Sequence, residues 1–473
     1  MSLPVVSIAQ MREWERATWA TGQTEAEVIR RVGAKIARRA LQLTRPGEAI
    51  LILAGKGHNG DDARAAQTAL PERRVERLDI TAPEKELAGL KQALSQRPAL
   101  VIDGLFGIGL DRPLTDDWKK IIGAVNESGI SVLAVDVPSG LNADTGEPAS
   151  PGMAIEAAVT LTVGAPKTGL LACHAWPFVG RLEVADDVGL ISCPHTGGLN
   201  WSMPEDFVNF PPRRFAAGHK GTFGHVGIFA GSFGFQGAAV IAVHAAQRAQ
   251  PGLVTLYTQE SVYHVTAAQL QSAMVDLWKS DLKLPDTVSA LLVGPGLAAP
   301  GLAEIMTPMT TRRIWRDSLF PVVVDASTLD WLPTGVTARN AIRVLTPHPG
   351  EAARLLNATS QQVQMNRPQA VREISRRYGH CWVVLKGHQT LVGRSEGEIF
   401  VNPSGNPHLA QGGSGDALAG YLAGLLAQRP LLGDVGRLIR FAVWQHGAAA
   451  DKLQAMRTNW VVEDLVGELG NAR

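Results

Sequence analysis

Cysteine is scarce in this chain: Cys173, Cys193 and Cys381 are its three, scattered and without a CxxC pair. That pattern supports neither a disulfide framework nor a zinc site, and it reads as packing thiols in a reducing compartment. A charge of one sign is missing too. Forty-five basic residues against 44 acidic ones leave a formal charge of +1, which argues against a non-specific nucleic-acid binder and against a polybasic membrane protein. No apolar run approaches the roughly 18 to 20 residues of a membrane span, and Met1 to Arg16 holds no apolar core of signal-peptide length. The expectation is a cytoplasmic protein with small-molecule partners, no nucleic acid and no membrane. Short internal repeats and low-complexity tracts are absent as well.

What is abundant is glycine, 49 residues against four tyrosines, which fits an α/β enzyme with many tight strand-to-helix turns. At 473 residues the chain exceeds one ordinary core, so two domains are expected. Residues 24 to 43 carry apolar side chains at helical spacing among arginines. The run Ala49 to Gly55 reads as a buried parallel strand ending in Gly55-Lys-Gly-His-Asn-Gly-Asp-Asp62, with a helix from Ala63 to Leu70. A strand Ala99–Asp103 runs into Gly104 to Gly109, and a strand Ser131–Asp136 into Val137-Pro-Ser-Gly140. Parallel strands gather their carboxyl ends, so Asn59, Asp62, Asp103, Asp136 and Ser139 should meet at one sheet edge. Helix capping is the plain alternative for Asp103 and Asp136. Asn, Asp and Ser oxygens suit K⁺, Na⁺ or Mg²⁺.

These three motifs, with Asp136-Val-Pro-Ser-Gly-Leu-Asn-Ala-Asp-x-Gly146, resemble the NAD(P)H-hydrate epimerase domain, a Rossmann-like three-layer fold. The resemblance implies K⁺ bound by Asn59, Asp103 and Ser139. It implies substrate held by His58, Asn59, Gly60, Asp61 and Asp62 and by Gly107, Ile108, Gly109, Leu110, Asp111, Arg112 and Pro113, with Asp136 as acid/base. The first loop departs from the family's Asn-Asn-Gly-Gly-Asp-Gly at His58, Asp61 and Ala63. The added carboxylate and lost small residues are expected to weaken binding of a phosphate-bearing substrate. Further strands are expected at 157 to 163 and 180 to 185. Lys167 in Pro166 to Gly169 reads as a solvated lysine, with a phosphate contact as the alternative.

Between Val188 and Phe215 the periodicity fades, and a linker is expected there. The domains are placed at 1–205 and 206–473. The second half repeats the strand, turn, helix rhythm: strands at 225–230, 253–257, 289–293, 321–325, 342–345 and 381–385, each ending in glycine, proline or a polar group. His348 stands between two prolines off a strand end, in a loop held by fixed φ. Lys386-Gly-His-Gln-Thr390 offers a point charge, a permissive backbone and a hydroxyl for a nucleotide phosphate. Gly412-Gly-Ser-Gly-Asp416 opens a helix whose first-turn N–H groups make an anion hole beside an acid, with a plain tight turn as the alternative.

Together with Gly231-Ser-x-Gly-x-x-Gly-Ala238 and Gly294-Pro-Gly-Leu297, these motifs resemble the ADP- or ATP-dependent NAD(P)H-hydrate dehydratases of the ribokinase-like superfamily, also three-layer α/β. The whole chain is similar to the bifunctional NAD(P)H-hydrate repair enzymes. The resemblance implies a substrate hydroxylated at C6 of the reduced nicotinamide ring and Mg²⁺ with ADP as co-substrate, ATP being the alternative. It also implies a homo-oligomer, with a tetramer as the candidate size. Asp416 would accept the hydroxyl proton. Lys386, Gly387, His388, Gln389, Thr390 and Gly415 would bind the nucleotide, and Ala238, Gly296 and His348 the substrate. Two rivals remain at this stage: a small-molecule kinase, and a first domain that acts only as a nucleotide- or protein-binding scaffold.

Overall fold

Alternation along a strand decides which side chains face which layer, and Ala49–Ala54 shows this most simply. Its Ile50 and Ile52 pack with Val32 and Ile36 of helix Glu25–Leu43 and with Ala63 and Ala66 of helix His58–Gln67. Its Leu51 and Leu53 pack on the other face with Leu90, Ile121 and Ile122 of helices Pro83–Ser95 and Asp116–Glu127. The result is three layers, helices on both faces of one sheet. The computed structural model describes residues 2–279, 282–299, 302, 306–338 and 341–472, and divides the chain into two compact units, Leu3–Gly197, and Gly198–Arg473 grouped with Met1–Ser2.

In the first unit six parallel strands run in the order Arg74–Asp79, Ala49–Ala54, Leu100–Gly104, Val132–Val135, Val159–Val163, Arg181–Ala185. The chain leaves Ala49–Ala54 toward one edge and returns to its other side, so the strand order reverses there. That is where an open α/β sheet forms a crevice at its carboxyl ends. The helix expected from Ala63 begins instead at His58, with Gly57 as its N-cap. The motif residues His58 to Asp62 are therefore its first turn rather than a loop.

The amino terminus folds as helix Ile8–Trp19, which the sequence reading left unassigned. Ser7 and Gln10 close a reciprocal capping box at its start.

In the second unit the strands run Leu199–Trp201, Ile399–Val401, Leu391–Gly393, Trp382–Leu385, Arg343–Leu345, Val322–Val324, Ala290–Val293, His225–Phe229, Leu253–Thr258, Met274–Leu277. Pairing is parallel from Trp382–Leu385 to Met274–Leu277 and antiparallel around Leu391–Gly393. Strand order reverses at His225–Phe229, which feeds the Gly231 to Gly237 loop and helix Gln236–Arg248. That helix, Ser414–Leu426 and Val435–Met456 cover one face of the sheet over Val226, Ile228, Leu256 and Leu292. The stretch expected to be a linker contains Leu199–Trp201, which pairs in parallel with Ile399–Val401. Its Trp201 is buried, a contact sequence periodicity over three residues is too short to reveal. Among the described residues no helix is long and apolar enough to cross a membrane.

Candidate active sites

The first unit carries a cavity of about 680 Å³ at its reversal point. Its walls include His58, Asn59, Asp62, Gly107 to Arg112 and Asp136, whereas Gly60, Asp61 and Pro113 stand outside them. Gly60 serves packing: a Cβ there would come 2.1 Å from the Gly55 carbonyl oxygen, so only glycine lets the first turn close onto the strand exit.

Asp103 is fully buried at the end of its strand. Ser139 donates to it twice, Oγ to Oδ1 at 2.6 Å and N–H to Oδ2 at 2.9 Å, and the Leu105 N–H donates to Oδ1 at 3.2 Å. Asn59 Nδ2 donates to the Phe106 carbonyl at 2.7 Å, and the Phe106 N–H donates to Ser139 Oγ at 2.8 Å. The three residues of the expected ion site thus share one hydrogen-bonded knot. Burial pushes the Asp103 carboxyl up to about 6 against the pull of those bonds, all of which come from neutral groups.

Asp136 holds a left-handed φ of 62° directly after its strand. Its Oδ1 accepts from Lys167 Nζ at 2.5 Å, from the Val163 N–H at 2.9 Å and from Thr162 Oγ1 at 3.1 Å. Lys167 is not the solvated residue expected from sequence: it is fully buried, and its Nζ also donates to the Val163 carbonyl at 2.8 Å and Thr162 Oγ1 at 3.0 Å. A lysine can lie that deep because a carboxylate and two further acceptors replace its water.

The departures in the first turn have local partners. His58 Nε2 lies 2.9 Å from Glu25 Oε1. Asp61 accepts from Arg64 at 2.8 Å, and Arg64 also donates to Asp79 and to the Gly55 carbonyl. The added carboxylate is therefore neutralised within its own helix. Asp62 faces the cavity, and burial followed by the charge of Asp136 raises its carboxyl well above the ordinary range.

In the second unit Asp416 stands in the first turn of helix Ser414–Leu426. The N-cap, Gly413, has φ 93° and no side chain to cap with; the Ser414 N–H donates to the Gln411 carbonyl at 3.3 Å, and the Gly415 and Asp416 amides are left open to a ligand. At Gly415 a Cβ would stand 3.2 Å from Lys386 Nζ and 3.9 Å from Asp325 Oδ2, so glycine keeps the helix end clear above those charges. Lys386 Nζ donates to Asp325 Oδ1 at 2.8 Å and lies 3.8 Å from Glu351 Oε2. Burial works against the ammonium, but Asp325, Glu351 and Asp416 together hold Lys386 above its ordinary value. Burial, then Asp325, pushes Asp416 up to about 7 despite Lys386.

His348 is the N-cap of helix Pro349–Leu356, its Nδ1 accepting from the Gly350 N–H at 3.0 Å while Glu351 returns a bond to the His348 N–H at 2.7 Å. Glu351 thereby ties this cap to Lys386, a link the sequence reading missed although His348-x-x-Glu351 has capping-box spacing. Ala238 and Gly296 are neighbours: a Cβ on Gly296 would lie 3.1 Å from that of Ala238, and Ser232 Oγ donates to the Gly296 carbonyl at 2.6 Å. In the Lys386 to Thr390 turn, Thr390 Oγ1 donates to the Gly387 carbonyl at 3.1 Å. Arg367 reaches in to donate to the Leu385 carbonyl at 3.0 Å.

Comparison with known proteins agrees with both halves. A family described as NAD(P)H-hydrate dehydratase matches residues 226–469, and one described as YjeF-related protein N-terminus matches residues 71–169. A bifunctional NAD(P)H-hydrate repair enzyme of Coxiella burnetii is 32% identical, over 94% of this chain and 93% of that protein. A protein of the same description from Gloeobacter violaceus is 34% identical, over 96% of this chain and 94% of its own length. A solved ribokinase-like superfamily protein from Enterococcus faecalis superposes with a TM-score of 0.51 at 23% identity, covering 59% of this chain and 96% of that one.

Proposed function

The chain belongs to the family of bifunctional NAD(P)H-hydrate repair enzymes, and from that membership we propose how its residues divide the work. The first unit interconverts the R and S forms of hydrated NADH or NADPH; the second dehydrates the S form at the expense of ADP, releasing AMP and phosphate.

Dehydration is hard because hydroxide is a poor leaving group, and phosphorylating the C6 hydroxyl replaces it with a good one. The observation that carries this reading is Asp416: a carboxyl pushed up to about 7 at the open end of a helix, beside a partly buried lysine. A base near the working pH takes the hydroxyl proton, and the amides of Gly412 to Gly415 hold the transferring phosphoryl group. Lys386 to Thr390 and Gly415 bind the nucleotide, while Ala238, Gly296 and His348 line the substrate side. Three carboxyl groups around one ammonium leave negative charge in excess, which suits Mg²⁺ arriving as the counter-ion of the nucleotide. With an S-hydrate preparation and ADP, recovery of reduced-nicotinamide absorbance should vanish in Asp416→Asn. Net accumulation of a stable phosphorylated product, with no absorbance recovery, would make the domain a small-molecule kinase instead.

In the first unit Asp136 is the acid/base group, oriented by Lys167. Asn59, Asp103 and Ser139 fit K⁺: all offer hard oxygens, and Asp103 is a buried carboxylate whose hydrogen-bond partners are neutral. The ion would supply that missing positive charge and tie the Asn59 turn to the Ser139 turn. Asp136→Asn should stop interconversion of the epimers, followed by chromatography; unchanged interconversion removes Asp136 from the mechanism.

A further inference from the structure

Inverting C6 requires a hydroxyl to leave one face and water to return to the other, so protons must be both given and taken. Asp136 is placed to take one: three donors, one of them an ammonium, occupy its Oδ1, and among the described residues none occupies its Oδ2.

The cavity contains a carboxyl group of the opposite kind. Glu15, on helix Ile8–Trp19, lines the same cavity as Asp136 and Lys167. It is half-buried and has no hydrogen-bond or ion-pair partner among the described residues. The groups facing it are Asp136, Lys167, His58 and Glu25, with Asp62, Arg12, Lys56, Asp111 and Arg112 on the same walls. His58 and Glu25 already pair with each other. Burial, and after it the charge of Asp136, raises the Glu15 carboxyl. Two carboxyl groups in unlike surroundings, one held by an ammonium and one without a partner, are the usual means of separating acid from base in one site. Asp62 is the rival donor. It stands one helical turn from Asn59 in the ion knot and is more deeply buried than Glu15, which can regain a proton from solvent.

We propose that Glu15 is the proton donor of epimerisation, acting on the hydroxyl that leaves C6 while Asp136 receives the proton of the water that returns. This rests on the epimerase reading of the cavity. In the forward step the C6–O bond breaks, the N1 lone pair forms N1=C6, and the Glu15 proton goes to the departing hydroxyl, giving water and a Glu15 carboxylate. In the return step water forms a new C6–O bond on the opposite face, the N1=C6 pair returns to N1, and the surplus proton passes to Asp136. Transfer of that proton from Asp136 to Glu15 through cavity water restores the start, so nothing is consumed.

The test uses the full chain and measures R-to-S interconversion without nucleotide, corrected for the spontaneous rate and normalised to dehydration of the S form with ADP. Glu15→Gln should lower the kcat of interconversion by about 10²- to 10⁴-fold with little change in KM, and Glu15→Asp should recover part of it. An acid must be protonated to act, so the wild-type rate should fall as pH rises through the raised value of Glu15, and that alkaline limb should disappear in Glu15→Gln. Glu15→Gln at the wild-type rate overturns the proposal. So does a slowed Glu15→Gln that keeps the alkaline limb, or an alkaline limb that disappears only in Asp62→Asn. A wild-type protein that fails to interconvert the epimers would instead overturn the epimerase reading itself.

Discussion

Asp416 and Asp136 are the two proposed proton acceptors, and the charged groups around them differ. Asp416 shares one ammonium with Asp325 and Glu351 and is held up to about 7. Its charged form is penalised in the folded state, so the stability it contributes is present below its ordinary carboxylate value and is lost as pH rises through about 7. Asp416→Asn should therefore abolish dehydration and also stabilise the protein above pH 7, by up to about 4 kcal/mol from the size of the shift. Below pH 4 the two proteins should melt alike; thermal unfolding from pH 4 to 8 measures both ends. Asp136, by contrast, has Lys167 to itself at 2.5 Å. Lys167→Met would leave a carboxylate buried without a counter-charge, a loss of about 3–5 kcal/mol. Urea unfolding should show it, and Lys167→Met with Asp136→Asn should recover part of it.

Helix starts position most of the chemistry, and each is set by one small residue. Gly413 combines φ 93° with a neighbour, Ile241 Cδ1, that a Cβ would approach to 2.7 Å. Gly413→Ala should cost about 1–3 kcal/mol and slow dehydration, leaving interconversion of the epimers unchanged, as parallel assays on one preparation would show. Ser7 holds the start of the helix that carries Glu15. Ser7→Ala should cost roughly 1 kcal/mol by urea unfolding. Strand ends such as Asp103 and Asp136 were legible because apolar runs stop at glycine or proline. Helix Ile8–Trp19 was not read, although Ser7-x-x-Gln10 announces it, because charged residues interrupt its apolar spacing. The burial of Lys167 depends on Asp136, 31 residues away in sequence, and no local pattern carries that information. The edge strand Arg74–Asp79 escaped notice because most of its side chains face water.

At the scale of the whole chain, the two units meet in sequence between Gly197 and Gly198, eight residues before the 206 boundary drawn from fading periodicity. The difference has a physical content: Leu199–Trp201 pairs with Ile399–Val401 in the sheet of the second unit, with Asn200 Nδ2 donating to Glu398 Oε1 at 3.0 Å. A fragment of residues 198–473 should stay monodisperse and dehydrate the S form. One of residues 206–473 should expose the edge of Ile399–Val401 and aggregate. Size-exclusion chromatography separates the two outcomes.

The walls of the first cavity also give it a polarity. Glu15, Asp62 and Asp111 line it together with Arg12, Lys56 and Arg112, while Glu25 is paired with His58 and Asp136 with Lys167. A dinucleotide carries its negative charge in the middle and an uncharged reduced ring at one end. On the epimerase reading, the uncharged ring is expected against Glu15 and Asp62, whose carboxyls burial raises, and the phosphates against Arg12, Lys56 and Arg112.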